Sequence, residues 1–103
     1  MSAHPVKVVI TYRAQPGREE AARRDLAALI ATVREKEPDC LGITMLTGAE
    51  DAARILLYET WTSREAYEGP HMRTPHLTAF RERAPGLFAG PPDIVFWNVV
   101  ADV

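Results

Sequence analysis

Ala53-Arg54-Ile55-Leu56-Leu57-Tyr58-Glu59-Thr60-Trp61-Thr62 (residues 53–62) is the stretch that decides the fold. Its β-branched and aromatic content reads as a strand. Ile55, Leu57, Glu59 and Trp61 share one face, and Leu56, Tyr58 and Thr60 share the other. Large apolar groups stand on both, whereas a strand with one wet face alternates cleanly between apolar and polar. Asp93 to Val103 behaves likewise, with Ile94, Phe96, Asn98 and Val100 opposite Val95, Trp97 and Val99. The sheet built from these strands needs cover on both sides.

Working outward, Cys40 to Thr47 is a second strand joined to the first by the turn-like Gly48-Ala49-Glu50-Asp51, as in an antiparallel hairpin. Upstream, Ala22, Leu26, Leu29, Ile30 and Val33 recur at helical spacing. Glu19–Arg23 and Glu20–Arg24 add favourable i,i+4 pairs on the solvated face. This helix is expected from about Arg18 to Lys36, stopping before Pro38 because the residue preceding proline disfavours the α region. Val6 to Arg13 is a further strand.

Downstream, Ser63 caps a helical segment that Gly69-Pro70 interrupts. Thr74-Pro75 starts another, carrying Leu77 and Phe80 into the core and ending near Pro85-Gly86. The order β-α-β-β-α-β is the split βαβ pattern of α+β, ferredoxin-like folds with a four-stranded antiparallel sheet. At 103 residues one domain, 1–103, is expected. One long helix and one broken helix cover a single sheet face. The other face then calls for a second copy, a homodimer built sheet against sheet.

Composition narrows the function. With 12 Lys and Arg against 14 Asp and Glu, the net charge is -2, without the basic excess that nucleic-acid binding draws on. No apolar run is long enough to span a membrane. The single cysteine, Cys40, excludes an internal disulfide and reads as a small buried hydrophobe. Met1-Ser2-Ala3-His4-Pro5 has neither a basic start nor an apolar signal core, so a cytoplasmic setting is expected.

Several motifs carry a resemblance. Pro38-Asp39-Cys40-Leu41-Gly42, Leu57-Tyr58-Glu59-Thr60-Trp61, Ser63-Arg64-Glu65-Ala66-Tyr67 and His71-Met72-Arg73-Thr74-Pro75-His76-Leu77 resemble the antibiotic biosynthesis monooxygenase family. The resemblance implies a dimeric α+β barrel of ferredoxin-like subunits. Members vary in chemistry: some oxygenate quinols or hydroxyaromatics without metal or flavin, others degrade haem or isomerise small phosphorylated ketones. The strand-one Asn of haem-degrading members is absent, since Asn98 is the only asparagine. Quinone-forming members resemble this chain at Trp61 and Tyr67, but Leu57 replaces their Asn. Pro70 stands where the family usually has His, and His71 follows one residue later.

The resemblance implies a small aromatic substrate, O2 and no bound cofactor. A phenolic proton must then be removed, and an imidazole titrating near pH 6.5 suits that task. His71 is the expected base with His76 assisting; the plainer alternative has His76 packing or capping the Thr74-Pro75 turn. Trp61, Leu57 and Ile55 would wall a cavity on the helix side, with Tyr67 able to bond a substrate oxygen. Trp61 and Tyr67 could equally be plain core. The i,i+5 spacing of the histidines differs from the i,i+4 of a zinc pair, so no metal is expected. Glu59, mid-strand among apolar neighbours, is expected to pair with an arginine or to have a raised pKa. A non-catalytic ligand-binding dimer and an isomerase using Arg73 or Arg81 as an anion site are the alternatives.

Overall fold

The computed structural model describes residues 4–103, so the reading of Met1 to Ala3 lies outside them. Strands β1 (Val6–Arg13), β2 (Cys40–Thr47), β3 (Arg54–Trp61) and β4 (Asp93–Trp97) form one antiparallel sheet in the order β2-β3-β1-β4. Helices α1 (Glu19–Lys36), α2 (Arg64–Glu68) and α3 (Pro75–Arg83) complete a ferredoxin-like α+β fold. β1 and β2 keep their expected bounds, and β3 is one residue shorter at each end.

β4 departs from expectation, ending at Trp97 rather than Val103. Among the described residues its one neighbour is β1, and Lys7↔Trp97 is the last pair. Beyond it β1 has only Val6 left before Pro5, which has no N–H to give to a ladder.

Alternation along the strands assigns the layers. Val6, Val8, Ile10 and Tyr12 of β1 and Ile55, Leu57, Glu59 and Trp61 of β3 are buried on the helix side. Ala22, Leu26, Leu29 and Val33 of α1 meet them in the core. On the opposite face Leu46, Tyr58, Val95 and Trp97 are 38 to 56% exposed in the single chain. The two-faced apolar pattern is therefore a property of the sheet, and one face lacks cover among the described residues.

Two local breaks position the functional region. Glu37, extended at φ −117° and ψ 96°, closes α1 immediately before Pro38. Ser63 Oγ accepts from the Ala66 N–H to start α2, which stops at Gly69. A Cβ on Gly69 would stand 2.9 Å from the Glu65 carbonyl oxygen, a contact only glycine avoids. Pro70–Arg73 then forms a 3-10 turn that carries His71 into the interior. Thr74 locks the next start: its hydroxyl donates to the His71 carbonyl at 2.9 Å and accepts from the Leu77 N–H at 3.3 Å. The chain thus changes helix type at Gly69-Pro70, from α2 through the 3-10 turn to α3.

Candidate functional site

Two aromatic rings pack against His71. Its ring centre lies 4.6 Å from Trp61 and 4.9 Å from Tyr67, and the rings of Trp61 and Tyr67 meet edge to face at 5.5 Å. Phe96 of β4 closes on Tyr67 at 5.5 Å. Desolvation in this setting lowers the His71 pKa below 6.5, and the Glu37 carboxylate opposes that shift. The net shift favours the neutral imidazole.

Glu37 joins the two histidines. His71 Nδ1 lies 2.9 Å from Glu37 Oε1 and 3.0 Å from Oε2, and His76 Nε2 lies 2.6 Å from Oε2. The side chains of Glu37 and His71 are 11% and 6% exposed. Spacing along the chain gave no carboxylate beside the histidines, because Glu37 is 34 and 39 residues away. The local signal was a carboxylate at the helix end before Pro38, and it says nothing of what it meets. Among the described residues, no group of three or more His, Cys, Asp or Glu is arranged to hold a metal ion.

Glu59 is buried, and among the described residues no arginine pairs with it. Its Oε1 accepts from the Trp61 indole N–H at 2.8 Å, a partner the sequence reading did not include. Desolvation dominates and pushes its pKa up to about 7. Cys40, 1% exposed, is pushed up to about 11 by burial, so its thiol stays protonated near neutrality.

A cavity of about 830 Å³ opens where α3 meets the β1–β4 flank. Leu77, Phe80, Phe88 and Ile94 give it apolar walls, with Tyr12 and Tyr67 on the same lining. Burial raises both tyrosine pKa values, so each hydroxyl remains a neutral donor. Arg81 is the cation on the lining; its guanidinium reaches the Met72 carbonyl oxygen at 3.3 Å.

The nominated residues divide accordingly. Tyr67 lines the cavity. His71 stands one ring removed, against Tyr67, and His76 reaches His71 through Glu37. Trp61, Ile55 and Leu57 are each 1% exposed in the core and are not on the cavity lining. The reason is strand order: β1 separates β3 from β4, and the hollow lies on the β4 side. Tyr12, Phe88 and Ile94 line it in their place, from segments the motif reading did not nominate.

Known proteins share this architecture. The crystal structure of PA3566 from Pseudomonas aeruginosa matches with a TM-score of 0.87 at 28% identity, over 98% of this chain and 99% of that one. The structure of Rv0793 from Mycobacterium tuberculosis matches at 0.83 with 24% identity, over 95% and 97% of the two chains, a likeness of fold alone. The uncharacterized protein sll1783 of Synechocystis sp. is 26% identical over 98 residues, which are 92% of this chain and 63% of that relative. The chain thus spans less than two thirds of the curated relative it matches. A family profile described as antibiotic biosynthesis monooxygenase matches residues 5–83, well over half of the sequence, and the chain belongs to that family.

Proposed function

We propose that this protein is a cofactor-independent monooxygenase that oxygenates a quinol or hydroxyaromatic with O2. The observation carrying this reading is the apolar cavity with Tyr67 on its wall and a buried His71, its pKa lowered by desolvation, against that ring. A volume of about 830 Å³ suits a flat aromatic of several rings. Tyr67 orients the substrate hydroxyl. His71 removes the phenolic proton through one intervening hydroxyl or water, with His76 supporting it through Glu37. The electron-rich anion passes an electron to O2, the two radicals join in a new C–O bond, and loss of water leaves a quinone carbonyl. For a naphthol the balance is one naphthol and one O2 to one naphthoquinone and one water, the substrate supplying all four electrons. In this reading no metal or flavin takes part. Trp61 holds the His71 and Tyr67 rings, while Ile55 and Leu57 support them from the core.

A non-catalytic binder of an apolar small molecule is the second reading, favoured by the absence of both histidines from the cavity lining. Oxygen-electrode measurements with a panel of naphthols and quinols separate the two. Steady consumption proportional to protein is expected; saturable binding without uptake supports the binder instead.

The assembly we propose is a cytoplasmic homodimer through the sheet face that bears Leu46, Tyr58, Val95 and Trp97. Sedimentation equilibrium at micromolar concentration should return twice the chain mass of 11.5 kDa. A single-chain mass would remove this part of the proposal.

A further inference from the structure

We infer that Glu37 is a positioning residue that fixes His71 as its Nδ1–H tautomer and leaves Nε2 as the ring's basic nitrogen. A carboxylate accepts hydrogen bonds and donates none. Both contacts at His71 Nδ1, 2.9 and 3.0 Å from the two Glu37 oxygens, therefore require a proton on Nδ1. In a neutral imidazole that proton leaves Nε2 with a free lone pair. His76 Nε2, 2.6 Å from Oε2, must likewise be the protonated nitrogen of its ring. One carboxylate at the end of α1 thus sets the tautomers of two histidines, one on the 3-10 turn and one on α3.

The surroundings leave Glu37 as the group that can do this. Packed around His71 are Trp61 and Tyr67, which contact it through their rings. The other charged or titratable groups whose fields reach it are His76 and Arg81 of α3, and both oppose its protonation. Glu59 is engaged with the Trp61 indole. The arrangement follows the logic of hydrolase triads, where a buried carboxylate holds an imidazole in the working tautomer without itself becoming protonated. Its catalytic consequence rests on the monooxygenase reading above; the tautomer itself does not.

Long-range 15N–1H correlation spectra of the whole protein at pH 8 test the inference, with the His71 signals assigned by their loss in His71→Gln. The native chain should show His71 protonated at Nδ1 and bare at Nε2. In Glu37→Gln the amide can donate to Nδ1, so the Nε2–H form should appear, and Glu37→Asp should recover part of the native pattern. Given turnover, Glu37→Gln should lose roughly 10²–10⁴-fold in kcat with KM little changed, because the free nitrogen is then the wrong one. A native spectrum showing Nε2–H, or a Glu37→Gln spectrum identical to the native one, overturns the assignment. If the tautomer behaves as stated while no substrate of the panel consumes oxygen, the monooxygenase reading fails and the positioning role stands.

Discussion

His71→Gln should keep its fold and lose roughly 10²–10⁴-fold in turnover, the usual worth of a positioned general base. Glutamine is the informative replacement because its amide fills most of the imidazole's space. It can still donate to Glu37, as His71 Nδ1 does at 2.9 Å. Alanine would leave a gap between the Trp61 and Tyr67 rings, both in contact with His71, and would confuse lost chemistry with lost packing. The pH profile gives a second readout. The His71 pKa lies below 6.5, so native activity should rise with pH along a limb centred under that value and then level off. That limb should vanish in the variant. Wild-type turnover from His71→Gln, with the limb intact, would show that another group takes the proton.

Glu59→Gln is expected to stabilise the protein above pH 7 and to flatten its stability against pH. The Glu59 pKa rises from 4.5 to about 7 in the folded chain, driven by desolvation. Between those values the folded chain holds the proton and the unfolded chain has released it, so raising the pH favours unfolding. At ~1.4 kcal/mol per pH unit the full cost is on the order of 3 kcal/mol, reached above about pH 7 and absent below about 4.5. Glutamine can still accept from the Trp61 indole, although an unsatisfied amide hydrogen would offset part of the gain. His71 works in the opposite direction: its depressed pKa makes stability fall as pH drops below 6.5. The difference between variant and native chains isolates Glu59, since His71 contributes to both. Urea melts from pH 4 to 9 provide the check. Parallel native and variant curves would mean that Glu59 ionises normally in the folded state.

The fold was legible because its signals are local. Alternation in β1 to β3, the apolar stripe of α1 and the Thr74-Pro75 start each depend on neighbours within a few residues, and the structure places them within a residue of expectation. The end of β4 was not legible, since it is set by where a non-adjacent strand runs out of pairing groups. The site shows the same division. His71 and Trp61 were visible as residue types, and the Gly69-Pro70 interruption appears where it was read. Glu37 became visible only when folding brought the end of α1 beside the turn that carries His71. The cavity moved for a related reason: sequence order puts Ile55 and Leu57 next to Trp61, but sheet order puts β1 between them and the hollow.

Supplying 18O2 to the purified native protein with a substrate naphthol, then weighing the product by mass spectrometry, puts the catalytic claim to its most direct trial. One heavy oxygen atom should enter each quinone, with label absent from product when the protein is omitted. Binding of the naphthol with no label gained would contradict the account and leave the cavity as a receptor.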